Sequence, residues 1–247
     1  MKFYLFIILV SLMAQKCPSQ EFHLEIDSDV LKSKTEVKIF TLCKAAIPQR
    51  IIYFTDGKKL LDAGFMETLK SLYKANKISP TYLVFVSSVD LNDGTDRRND
   101  FFLCNPDYVS FFEKELIPEV EKTLEKKFPP LARSLFGVSF GGLNSAWFSI
   151  YSNAFENFAL LSPITYPCPD IVSKIAFSER KKLKIFISTG INDAENYVTP
   201  LERIYRLNNH KVQTKKTMGG HNFENWASQL EMALNFFHPK NHKSKYD

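Results

Sequence analysis

A serine with glycines two positions to either side stands in Gly137-Val138-Ser139-Phe140-Gly141-Gly142. A serine hydroxyl is a weak nucleophile until a neighbouring base draws off its proton. It is best presented from a sharp turn between a strand and a helix, where it stands clear of the backbone. Such a turn strains the main chain and presses the residues on its two arms together, so those positions favour glycine, which has no Cβ. An apolar run, Leu135 to Val138, precedes the turn, and a helix-like stretch, Leu143 to Tyr151, follows it. The chain has only 9 glycines in 247 residues, which makes the cluster informative. The alternative reading is a glycine-rich turn around an inert serine.

A nucleophile on such a turn takes its acid and then its histidine from later in the chain. Four histidines follow Ser139: His210, His221, His238 and His242. His221 lies in Met218-Gly219-Gly220-His221-Asn222-Phe223, a glycine-containing loop ahead of the last helix pattern, and is the candidate base. The acid is expected in the turn after the strand at 183–187. That turn offers Asp193 and Glu195. Asp193 is nearer the strand end, where a short carboxylate can hold an imidazole in one tautomer. Glu195 suits the first turn of the next helix, where an acid complements the helix dipole. An oxyanion formed at the attacked carbonyl needs two N–H donors. The candidates are the N–H of Phe140, directly after the serine, and that of Gly57 in the turn Asp56-Gly57-Lys58. An ordinary turn is the other reading of Gly57.

These residues need a frame that gathers loops along one edge. Phe22, Leu24 and Ile26 alternate with polar residues, as do Val37 and Ile39 within Thr35 to Leu42. Period-two alternation predicts two half-buried, antiparallel strands. Five continuous apolar runs follow, at 51–54, 82–86, 135–138, 158–161 and 183–187, and they suit parallel strands buried on both faces. Helical spacing occupies 60–75, 108–128, 143–151, 198–207 and 222–237 between and after them. The fold class is therefore α/β: a mostly parallel sheet with an antiparallel N-terminal edge and helices on both faces. No linker or repeat interrupts residues 20–238, which read as one domain. About 20 residues separate the fourth and fifth runs, too few for a large lid, so the site is expected to be open.

The ends read differently. Residues 1–19 have a basic start, an apolar run from Phe3 to Ala14 and a polar stretch after it, the layout of a secretory signal peptide. Cleavage after Ala14 or after Ser19 both fit, and a buried strand or membrane anchor is the alternative. The apolar run is too short to span a bilayer, so no stable membrane insertion is expected once it is removed. Residues 239–247 form a basic, frayed tail. Removing residues 1–19 deletes Lys2 and Lys16 and no acid, which lowers the formal charge of +5 by two. So mild a balance does not point to nucleic acid. The cysteines, 17, 43, 104 and 168, fit no zinc or redox spacing. A disulfide with one thiol left over, or buried thiols throughout, are the two readings of the three that follow residue 19.

Over about residues 22–238 the chain resembles the enterochelin-esterase and esterase-D-like branch of the α/β-hydrolases. Four anchors carry the resemblance. They are Tyr53-Phe54-Thr55-Asp56-Gly57, Gly137 to Gly142, Gly219-Gly220-His221 ahead of Trp226, and Arg97-Arg98-Asn99-Asp100-Phe101 followed by Phe111-Phe112-Glu113-Lys114-Glu115-Leu116-Ile117-Pro118. The resemblance implies a serine carboxylic-ester hydrolase with Ser139, Asp193 and His221 as its triad. It implies no cofactor and no metal, and a small-molecule or glycan ester as substrate: a siderophore, sugar or acyl ester. Phe140 departs from the Leu or Met common at its place. Arg97 is the candidate for an anionic part of the substrate, with a structural salt bridge as the alternative. An acyltransferase with the same triad, or a non-catalytic ligand-binding protein on the same fold, are the other functional classes.

Overall fold

Side chains along the third strand alternate between two separate hydrophobic layers. Ile51 and Tyr53 enter one, Ile52 and Phe54 the other, and all four are buried. A strand can be apolar at every position only when both faces of its sheet are covered. The computed structural model, which describes residues 20–44 and 47–239, meets that condition with an eight-stranded sheet in the order β1-β2-β4-β3-β5-β6-β7-β8. The proposed signal segment and all but the first residue of the basic tail lie outside the described residues.

β1 (Glu21–Ser28) and β2 (Ser33–Leu42) pair antiparallel, and β2 pairs antiparallel with β4 (Thr81–Asp90). From β4 onward all neighbours are parallel: β3 (Ile51–Phe54), β5 (Arg133–Val138), β6 (Asn157–Leu161), β7 (Lys184–Gly190) and β8 (Lys211–Thr217). The antiparallel edge and the five central strands agree with the sequence patterns. β8 carries no apolar run because it is the outer strand, with no residue fully buried. Three of its seven residues are lysines, a composition that discourages further pairing at an edge.

Three of the five predicted helical stretches are divided. The stretch 60–75 divides into α1 (Gly57–Asp62) and α2 (Phe65–Lys74) at Gly64, whose φ of 81° ends one helix and starts the other. After α3 (Arg98–Phe102), the stretch 108–128 becomes α4 (Pro106–Phe111), a π turn over Phe112–Leu116 and α5 (Ile117–Thr123). α6 (Phe140–Tyr151) leaves the serine turn, and α7 (Ile171–Phe177) and α8 (Glu195–Leu207) flank β7 in sequence. The final stretch divides at Gln229 into α9 (Phe223–Ser228) and α10 (Leu230–Phe237).

Aromatic rings fill both layers. Tyr53, Tyr108, Phe112, Phe148 and Phe155 pack edge to face or tilted on one side of the sheet. Phe54 stacks on Phe85 and tilts against Phe136 on the other. Each such ring buries a large apolar area, and these geometries add attraction beyond the area itself. The result for the site is a rigid sheet in which the carboxyl ends of β3 to β8 emerge at one edge, as parallel strands require.

Candidate active site

Ser139 follows the last residue of β5 and precedes the first of α6, with φ 56° and ψ −118°. A non-glycine residue holds such a conformation only where its surroundings force it. The forcing contacts are local. The Ser139 N–H donates to the Leu161 carbonyl of β6, and its own carbonyl accepts from Gly142 and Leu143. The crossing of the two arms explains one glycine directly. A Cβ on Gly137 would lie 1.8 Å from the Gly141 carbonyl oxygen, so no side chain fits there.

His221 meets the serine from the loop between β8 and α9. Its Nε2 lies 2.9 Å from Ser139 Oγ, and its Nδ1 lies 2.5 Å from Asp193 Oδ1. An ionised carboxylate only accepts hydrogen bonds, so Nδ1 carries the proton and Nε2 is left as an acceptor for the serine hydroxyl. That is the tautomer a general base needs. The loop is fixed at both ends. Asn222 caps α9 by accepting from the Asn225 N–H, and Asn225 Nδ2 donates to the Gly220 carbonyl.

Asp193 is buried (side chain 1% exposed) three residues past β7, while the His221 ring is partly open to solvent. Burial is the largest single influence on the Asp193 carboxyl and works to raise its pKa. Donors from Ser162, the Gly190 N–H and His221 together outweigh it and hold the group below the usual aspartate value. Glu195 begins α8 and pairs with Lys216 at 2.8 Å. Of the two acids in that turn, only Asp193 bonds the imidazole.

Phe140 is the first residue of α6, so its N–H has no carbonyl one turn earlier to bond. The β3–α1 turn lies against the elbow: a Cβ on Gly141 would come within 2.8 Å of Thr55 Oγ1 and 3.4 Å of Asp56 Oδ2. Gly57 opens α1, and a Cβ there would sit 2.4 Å from the Val86 backbone nitrogen.

Arg97 lies among three acids. Its guanidinium is committed to Asp93 at 2.7 Å, with Asp90 and Asp100 at 3.7 and 3.9 Å, which is the salt-bridge alternative. The neighbouring Arg98 points to the elbow instead. Its Nε donates to Asp56 Oδ1 at 2.6 Å and its Nη2 to the Val138 carbonyl at 3.2 Å. Its guanidinium also lies 5.4 Å from the centres of the Phe102 and Phe140 rings. Asp56 is buried, which pushes its carboxyl above the ordinary range against the pull of Arg98. Arg98, Asp56 and Ser162 had no separate signal in the sequence. Asp56 and Ser162 share one recognisable feature, a polar residue two positions and one position, respectively, past a buried parallel strand.

Cys104 and Cys168 form a disulfide, and Cys43 is disulfide-bonded as well, so no free thiol is present among the described residues. The Cys104–Cys168 bond corrects the reading of buried thiols throughout. Cys104 follows α3, which carries Arg98, and Cys168 lies in the β6–α7 loop beside Tyr166, whose ring meets Phe140 edge-on at 5.8 Å.

The Esterase family model matches residues 28–237, most of the chain and all of the residues just described. The chain belongs to the Esterase family. A search of curated proteins finds no match in sequence. Among solved structures, this Esterase-family chain is similar to the enterobactin esterase of Shigella flexneri, with 21% identity over 91% of this chain and a TM-score of 0.75. It spans 60% of that protein's length. It is also similar to the BES protein of Bacillus cereus (19% identity, 90% of this chain, 96% of that one, TM-score 0.68). A third is the feruloyl esterase module of Clostridium thermocellum in complex with sinapinate (15% identity, 95% and 94% covered, TM-score 0.67). At these identities the likeness establishes the α/β-hydrolase fold of the Esterase-family chain and no more.

Proposed function

We propose that this Esterase-family protein hydrolyses a polar carboxylic ester through an acyl-enzyme on Ser139. The observation that carries the reading is the unbroken hydrogen-bonded line from Ser139 Oγ through His221 to Asp193, with a tautomer that leaves Nε2 as acceptor. In the first step Ser139 Oγ attacks the ester carbonyl carbon as His221 Nε2 takes its proton. The carbonyl electron pair moves to oxygen, where the N–H groups of Phe140 and Gly57 stabilise it. Collapse breaks the bond to the alkoxy oxygen, which leaves as the alcohol with the proton from His221. Water, deprotonated by His221, then attacks the acyl carbon and releases the acid, and Ser139 regains its proton. Asp193 holds the ring and its positive charge throughout. No step needs a metal or cofactor.

The substrate is a small-molecule or glycan ester: a siderophore, a sugar ester or an aromatic acyl ester. Support comes from the groups beside the elbow, where the Phe140 ring meets the Arg98 guanidinium and the exposed ring of Tyr166. The same reading takes the protein out of the cytoplasm, without a nucleic-acid or membrane partner. The disulfide chemistry suits an oxidising compartment. No helix among the described residues is long and apolar enough to cross a membrane.

The test is intact-mass labelling with a fluorophosphonate, which adds once to an activated serine. One adduct on the wild type, lost in Ser139→Ala and His221→Ala, is the expected result. No adduct on folded wild-type protein rejects the hydrolase in favour of a ligand-binding protein. Product analysis with an added alcohol acceptor then separates hydrolysis from acyl transfer.

A further inference from the structure

Asp193 meets His221 with only one of its two oxygens. The other, Oδ2, accepts from Ser162 Oγ at 2.5 Å and from the Gly190 N–H at 3.0 Å. The direction of the Ser162 bond is forced. The Trp226 indole, which can only donate, reaches Ser162 Oγ at 2.9 Å. A hydroxyl has one proton, and with a lone pair taken by the indole that proton goes to the carboxylate. Trp226 then turns back to the base, its ring edge-on to the His221 ring at 4.9 Å and 87°. Four residues thus close a circuit: Asp193, His221, Trp226 and Ser162. Ser162, Trp226 and Asp193 are buried within it.

The backbone adds a second, independent observation. Ser162 directly follows β6 with a φ of 45°, a region that favours glycine. Its N–H remains tied to the Ser188 carbonyl of β7. The turn alone is best served by glycine, yet the position carries a hydroxyl, and that hydroxyl is spent on Asp193.

We infer that Ser162 is a positioning residue for the proposed hydrolysis: its hydroxyl, oriented by the Trp226 indole, locks Asp193 in the rotation that presents Oδ1 to His221. Without it, Oδ2 keeps only the Gly190 N–H, and the carboxylate is free to turn about its Cβ–Cγ bond. The ring of His221 then loses the fixed partner that sets its tautomer and its aim at Ser139. The inference rests on the triad reading, and the experiment separates the two.

Three variants test it: Ser162→Gly, which removes the hydroxyl and suits the backbone, Ser162→Ala, which removes only the hydroxyl, and Trp226→Phe, which keeps a ring against His221 but no N–H. Turnover of p-nitrophenyl acetate is measured beside Ser139→Ala, with circular dichroism as the folding control. The strongly deshielded proton NMR signal of the His221 Nδ1–H to Asp193 bond is recorded for each. Folded Ser162→Gly is expected to lose kcat by about tenfold or more, the scale of one hydrogen bond to a charged group. Its KM stays within about twofold, since an interaction that orients the reacting groups and touches no substrate acts on kcat. The deshielded signal shifts or disappears in both Ser162 variants and shifts in Trp226→Phe. Wild-type kcat in Ser162→Gly, or a loss of kcat with the signal unmoved, overturns the inference. Activity retained in Ser139→Ala would instead reject the proposed function itself.

Discussion

Arg98 and Asp56 form a buried ion pair at 2.6 Å between α3 and the β3–α1 turn, and the same guanidinium holds the carbonyl of Val138, one residue before the candidate nucleophile. The pair thus joins the elbow to the turn proposed to supply the second oxyanion donor. Asp56 itself stands at φ 60°, so side chain and backbone both constrain this corner.

Replacing Arg98 with Ala leaves the Asp56 carboxylate buried and uncompensated. The variant is expected to lose about 3 kcal/mol of stability, the lower end of the range for breaking a buried pair, because Arg98 keeps some contact with solvent. Urea unfolding measures it. Asp56→Asn together with Arg98→Met, which leaves no stranded charge, should recover a large part of the loss.

The Cys104–Cys168 bond closes a loop of 64 residues and ties the segment after α3 to the loop that carries Tyr166. Restriction of the unfolded chain by a loop of that length corresponds to about 4 kcal/mol as an upper figure. Replacing both cysteines with Ala should lower the urea midpoint by an amount equivalent to about 2–4 kcal/mol. Reduced wild-type protein should be destabilised at least as much as the variant, which keeps only the Cys43 disulfide to respond to reductant.

Gly57→Ala places a methyl group 2.4 Å from the Val86 nitrogen, and the obstacle is backbone on both sides. A loss beyond the about 1–3 kcal/mol of ordinary overpacking is expected, together with loss of fluorophosphonate labelling. Thermal melting and intact mass report the two effects. Wild-type melting would mean that the start of α1 can move away from β4 without cost.

Two histidines far from the site make the fold acid-sensitive. His210 is buried and accepts from the Leu183 N–H, and His238 bonds Ser134. Burial, with nearby cations adding to it, lowers their pKa values to about 4 and about 3. An unfolded histidine takes up its proton near 6.5, so between that pH and the folded values the unfolded chain binds more protons. Stability is therefore full above about pH 6.5 and falls as the pH drops toward 4 and below. The melting temperature should decline over that interval, with a shallower slope in His238→Gln.

Much of the site was legible in the sequence because its parts obey local rules. A strand-to-helix turn that crosses its own arms needs Gly137, and loops after parallel strands emerge at one sheet edge, so Ser139, Asp193 and His221 were readable from motif and chain order. Burial on both faces left β3 to β7 as apolar runs. What depended on facing and on distance was not readable. Arg97 and Arg98 are adjacent and identical in type, yet consecutive positions entering a helix diverge by about 100°, and only packing decides which one meets Asp56. Cys104 finds Cys168 because α3 and the β6–α7 loop converge across the elbow, a relation 64 residues apart in the chain. β8 carries no core pattern because an edge strand has a face and a side left to solvent. Ser162 is one serine among many until the end of β6, the turn after β7 and α9 are brought together. Composition and periodicity specify which faces are buried and where the chain turns. Which polar group meets which across that boundary is decided only when the sheet closes and each buried donor must find its acceptor.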